Sequence, residues 1–199
     1  MTVRISHPRS LVTKLLHVSV AGAVIVQLAS SRLMITPRPT RPPNTAYEVH
    51  EWVGILTLLL VLAFWAWTLI RTGERSFGAL FPWFSAHRLR RVWLDFAAYL
   101  SAAWRLRLPE GEGRPFASAM HGLGLLVILV MAASGTLLWG GPAGWRPSAR
   151  AVHELFANLT WAYLMAHVTL ALLHEFAGHR LIRTMFGASV PSDQGSRHA

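Results

Sequence analysis

Cysteine is absent from this chain of 199 residues, lysine occurs once, and aspartate and glutamate together number nine. Each shortage excludes something. Without thiols there is no disulfide, no iron–sulfur ligation, no thiolate zinc and no covalent c-type haem, which needs C-x-x-C-H. Any metal must be held by histidine, methionine or carboxylate. Charged residues supply only 14% of the chain, where a soluble domain usually carries about a quarter. The scarcity of acid also leaves 19 Lys and Arg largely unbalanced, for a net charge of +10. A basic chain suits nucleic acid as well as anionic lipid, but a nucleic-acid binder does not contain several apolar runs of bilayer length. Membrane lipid is therefore an expected partner and nucleic acid is not.

What is abundant is apolar: 53% of residues, with nine tryptophans. A membrane helix needs about 20 mostly apolar residues, and four segments qualify, at about 11–34, 47–70, 116–140 and 151–175. The first is interrupted by Lys14, His17 and Gln27, and its basic start and small residues near Ala29 also resemble a signal peptide. An uncleaved span is expected, for a reason His17 supplies. The stretches "TPRPTRPPN" and "GGPAGWRPS" are rich in Pro and Gly and read as turns. Placing both termini and the long 71–115 connection on one side gathers 14 of the cations there, against Arg32, Arg38, Arg41, Arg146 and Arg150 opposite. Excess Lys and Arg mark the cytoplasmic side, so both termini are expected in the cytoplasm of a bacterial cell with the chain in its inner membrane.

Within the long connection Leu89, Val92, Trp93, Phe96, Leu100 and Trp104 recur at helical spacing among Arg88, Arg90, Arg91 and Arg105. This stretch, about 86–106, is too short and too charged to span, and reads as an amphipathic helix on the inner leaflet; a solvated basic loop is the alternative. The expected fold is all-α: an integral membrane four-helix bundle in one domain, 1–187, with that extra interfacial helix and a disordered tail at 188–199.

Ionisable residues inside spans are costly and by default mark function. Here the spans contain almost no buried charge but several histidines. His153 and His167 lie fourteen residues apart on the fourth span, which returns to within about 40° of one face and separates them by about 21 Å along the axis. Two ligands at two depths imply two centres, each needing a partner from another helix. His50 lies about one turn inside the second span and His153 about one turn after Arg150, at matching depth. His17 lies about 25 Å below Met34, and His167 about 25 Å below Arg150. That second match requires the first segment to be retained. Two stacked bis-histidine sites in a thiol-free bundle point to two non-covalent b-type haems. Small residues four positions after each ligand (Ala21, Gly54, Ala157 and Ala171) permit close approach, whereas His121 is followed by Leu125.

The stretch "LLHEFAGH", 172–179, looks like a zinc-peptidase signature. His174 and His179 are five apart, however, about 140° around a regular helix, and no further cluster supplies a third ligand. His174 lies about 36 Å from Arg150, just beyond a hydrocarbon core of about 30 Å. The stretch is better read as the fourth helix leaving the membrane.

"HELFANLTWAYLMAHVTLALLHEF", 153–176, resembles the fourth helix of the prokaryotic cytochrome b561 family, which includes the cytochrome b subunits of membrane Ni,Fe-hydrogenases. "LVTKLLHV" is similar to its first helix, "YEVHEWVG" to its second and "MHGLGLLVILVMAASGTLLWG" to its third. The resemblance implies that His17, His50, His153 and His167 bind two haem b groups. It also implies electron exchange between membrane quinone and a partner, either a peripheral oxidoreductase, a periplasmic redox protein or a small acceptor. His121 and His174 are the candidates for proton exchange with quinone at the inner surface. Arg150 with Arg38 and Arg41 are candidates to neutralise outer haem propionates, and Lys14 or Arg114 inner ones. Related subunits carry further polar residues on the third helix, where this chain offers Ser118, His121 and Ser134 and no Asn or Gln. The rival functions are a non-catalytic anchor and electron relay for a peripheral enzyme, and a metal-ion transporter using the same histidines.

Overall fold

The computed structural model describes residues 9–71, 77–104, 114–178 and 181–186. Among them are seven α-helices and no named strand: α1 (Leu11–Leu33), α2 (Thr45–Ile70), α3 (Phe77–Leu80), α4 (Ala86–Trp104), α5 (Pro115–Gly140), α6 (Arg146–Phe176) and α7 (Leu181–Phe186). Four of these, α1, α2, α5 and α6, are long and apolar enough to cross a bilayer. Positions 105 and 106 of the expected interfacial helix, His179 and the 188–199 tail lie outside the described residues.

Helix ends are set by local chemistry. Ser10 caps α1, its hydroxyl accepting the Thr13 N–H at 3.2 Å. Asn44 serves two helices. Its side-chain oxygen accepts from Tyr47 N–H at the start of α2 and from Ile35 N–H, while its amide donates to Leu33 O at the end of α1. The proline-rich connection between them closes through paired backbone hydrogen bonds of Arg38 and Arg41. α6 starts at Arg146, five residues before the sequence-based boundary. Pro147 falls in its first turn, where the missing N–H costs nothing because that donor has no intrahelical partner.

Inside the spans, hydroxyls fold back onto their own helices. Thr57 donates to Val53 O, Thr68 to Phe64 O, Ser118 to Arg114 O and Thr160 to Phe156 O. An apolar solvent offers no replacement partner, so this internal pairing is what makes these residues tolerable there. The core joins three helices: Val20, Val24 and Leu28 of α1, Val61 and Phe64 of α2, Leu125 and Ile128 of α5. The outer faces keep large exposed apolar residues such as Leu59, Leu69 and Phe176, as lipid contact requires.

The packing order is α1 on α2, α2 on α5, and α5 on α6, with no comparable contact closing α6 onto α1 or α2. Only 6% of the apolar stretch of α6 is buried against protein, compared with 44% for α5. α6 is therefore held off from half of the bundle, and the histidines face each other across that gap.

At the end carrying α4, the 77–84 segment wedges in. Leu80, Phe81 and Pro82 are buried, and Phe81 stacks on Trp65 at 4.6 Å. Gly122 permits this wedge, since a Cβ there would collide with the Leu80 carbonyl. α4 docks through Asp95, which pairs with Arg114 (2.6 Å to Nε) and accepts the Phe116 N–H at 3.0 Å. Val92, Phe96 and Tyr99 lie around it half-buried, while Leu89, Trp93 and Leu100 point away exposed. The amphipathic helix thus buries a narrower face than its apolar spacing predicts, centred on a carboxylate.

Candidate functional site

The structure brings four of the six candidate histidines together in two pairs across the α6 gap. His50 of α2 and His153 of α6 have ring centres 6.3 Å apart, at 89°. His17 of α1 and His167 of α6 have ring centres 6.4 Å apart, at 50°.

Hydrogen bonding decides the chemistry of the first pair. The His153 Nδ1 lies 2.9 Å from Met131 O. A carbonyl only accepts, so Nδ1 carries the hydrogen and Nε2 is the lone-pair nitrogen. Ser134 adds a second acceptor at 3.3 Å, its own hydrogen being given to Met131 O. On the facing side Ser30 donates to Gln27 O, so its oxygen accepts from His50 Nδ1 at 3.1 Å. Gln27 in turn donates to the His50 carbonyl at 2.7 Å. Both rings are thereby fixed in the tautomer that offers Nε2 to a metal, the arrangement in which a second hydrogen bond orients a ligating imidazole.

The second pair is built differently. His17 Nδ1 is buried with no partner among the described residues. His167 stacks on Tyr163 at 5.5 Å and 14°, and the His121 ring stands edge-on to it at 5.3 Å. His121 donates from Nδ1 to Ala117 O at 2.6 Å. His174 is farther along α6, buried, with its ring 6.4 Å from that of Tyr99 on α4. It joins neither pair.

These geometries fit a bis-imidazole haem iron. A metal–imidazole bond is about 2 Å and the ring centre lies ~1 Å behind the nitrogen, so two rings on opposite sides of one ion have centres about 6 Å apart. Each pair meets that separation although the helices carrying it make no extensive contact with each other. Glycines supply room nearby: a Cβ on Gly135 would sit 3.0 Å from the His153 ring, and one on Gly124 would strike Tyr163. Gly54, which the sequence offered as space beside His50, faces the Gln27 amide instead, at 3.4 Å. Zinc or nickel held by protein alone needs three or four ligands, and no cluster of three His, Asp or Glu occurs among the described residues.

Two other sequence candidates are committed elsewhere. Arg114 is bound to Asp95. Glu175 of the peptidase-like stretch accepts the Ile182 N–H at 2.9 Å, tying α7 to α6. α6 ends at Phe176, and Gly178 turns the chain with φ of +87°, so the stretch is not one continuous helix.

Sequence reasoning did not find Ser30, Gly135, Tyr163, Asp95 or Tyr99, and it named Ser134 only as a polar residue of the third helix, not as a partner of His153. Ser30 was within reach: four residues from the end of the first span, it shares the depth of His50.

No curated protein and no solved structure matches the chain. The model of one family, prokaryotic cytochrome b561, matches residues 9–188. That match covers all four spans and every paired histidine, and the chain accordingly belongs to the prokaryotic cytochrome b561 family, transmembrane electron carriers that use b-type haem.

Proposed function

We propose that this protein carries electrons across a bacterial inner membrane by way of two bis-histidine b-type haem sites, an outer one on His50 and His153 and an inner one on His17 and His167. The observation that carries the reading is the pair of ring separations across an open helix gap, 6.3 and 6.4 Å. When bound, haem supplies a one-electron couple at each site. His50, His153, His17 and His167 would hold the groups through their imidazoles, with Ser30 and Met131 O orienting the outer pair and apolar helix surrounding both sites.

At the inner end the reading adds exchange with membrane quinone. Quinone chemistry moves protons with electrons, so an ionisable group must stand near the site. We assign this role to His121, edge-on to His167, and to His174, beside Tyr99 and α4. Because His121 Nδ1 donates to a carbonyl, its proton exchange falls to Nε2. The distribution of cations supports placing this end, α4 and both termini in the cytoplasm. Electrons then reach or leave the outer site through a periplasmic or peripheral redox partner.

The test is haem stoichiometry. Purified protein should contain two haems per chain with reduced b-type bands, and His153→Ala or His167→Ala should each retain one. If both variants keep the wild-type content and spectrum, the ligand assignment fails. His121→Gln should slow quinol oxidation while leaving both haems in place.

A further inference from the structure

We propose that the cavity between α3, α4 and the start of α5 binds the phosphate headgroup of an anionic phospholipid. The cavity has a volume of about 190 Å³ and is lined by Gly78, Ala79, Pro82, Arg88, Arg91, Val92, Pro115 and Ser118. Two of those residues carry guanidinium groups, three positions apart on α4 and so on one face of it. Arg88 is laid over Gly78, since a Cβ there would collide with its guanidinium. The glycine thus leaves room for this guanidinium to lie against the α3 backbone. Among the described residues no carboxylate lines the cavity, and no ion pair joins Arg88 or Arg91 to an acid. The nearest acid on α4, Asp95, is used by Arg114.

What surrounds the cavity selects a lipid over a soluble anion. Val92 lines it, Trp83 and Phe84 follow Pro82 with exposed rings, and Leu89 and Trp93 extend the apolar surface along α4. A phosphate held between two planar guanidiniums accepts paired hydrogen bonds, with its acyl chains on that apolar margin. Basic pockets at the membrane surface beside spanning helices suit this headgroup class.

The test reconstitutes the full chain into vesicles of phosphatidylcholine with a minority of phosphatidylglycerol. It is then extracted in neutral detergent and the phosphatidylglycerol retained per chain is measured, with haem content reporting folding. Arg88→Gln and Arg91→Gln should each lower retention about fivefold, the factor for one cation at an anionic lipid surface. Arg90→Gln removes the same charge from the same helix, but about 160° away from Arg88, and should change it less than twofold. Equal losses in all three variants would reduce the effect to diffuse surface attraction and overturn the proposal, as would unchanged retention in Arg88→Gln and Arg91→Gln. Displacement of the lipid by millimolar inorganic phosphate, or by a short-chain quinone, would assign the cavity to that ligand and overturn it equally.

Discussion

Ser30 on α1 accepts a hydrogen bond from His50 Nδ1 on α2 at 3.1 Å, whereas His17 Nδ1, at the other end of α1, is buried without a partner among the described residues. A hydrogen bond at Nδ1 makes an imidazole a stronger donor to a metal and stabilises the more positive oxidised ion. The two proposed haems should therefore differ in potential, with the outer one lower. Ser30→Ala should raise the outer potential by about 40 mV, the one-electron equivalent of about 1 kcal/mol for one lost hydrogen bond. A potentiometric titration in which the inner couple moves instead, or neither moves, would contradict this.

The glycines make a graded series. Gly22 has open space around its missing Cβ, Gly54 has ordinary contact at 3.4 Å, and Gly122 abuts the Leu80 carbonyl. Gly22→Ala and Gly54→Ala should be neutral or stabilising by up to about 1 kcal/mol, the helix-propensity difference between the two residues. Gly122→Ala must displace backbone and should cost about 1–3 kcal/mol. Thermal midpoints followed by size-exclusion recovery in detergent would rank the three.

Asp95→Asn should loosen α4. It removes the charge that holds Arg114 and weakens the acceptor for Phe116 N–H. Because Arg114 is 22% exposed, the cost falls below that of a fully buried pair, at about 1–3 kcal/mol. Trypsin cleavage after Arg88, Arg90 or Arg91 should accelerate in the variant while haem content stays the same. Equal cleavage rates would show that α4 is held by its apolar residues alone.

Glu175→Ala tests the peptidase-like stretch. The carboxylate accepts one backbone N–H from α7, so its loss should cost about 1 kcal/mol and leave haem content and spectrum unchanged. Chelation with phenanthroline should likewise change nothing. A haem spectrum or quinol oxidation rate sensitive to the chelator would require a metal site beyond any formed among the described residues.

The number of spans and the facing of His17 with His167 and of His50 with His153 are legible in the sequence because both depend on translation along helix axes. Apolar length counts the spans, and 1.5 Å per residue gives depth. What was not legible depends on rotation and on small residues. Ser30 reaches His50 only because α1 turns Gln27 and Ser30 toward α2, and hydropathy does not fix that angle. The sequence likewise gives no reason to place Asp95 inward on a helix whose tryptophans look like its buried face; the docking charge becomes visible only with Arg114 opposite. The start of α6 was read too late because Pro147 resembles a helix breaker, and in a first turn it is not one.

Both proposed sites take one ligand from α6, and this has a consequence for how the chain tolerates change. The separation of His153 and His167 is set by the helix itself rather than by how the bundle packs. Substitutions elsewhere can loosen α1 or α2 without altering that spacing. The same rigidity makes the spacing brittle to length: one residue inserted between them rotates His167 by about 100° away from His17. α6 thus works as a ruler between the two sites, forgiving of composition and intolerant of count.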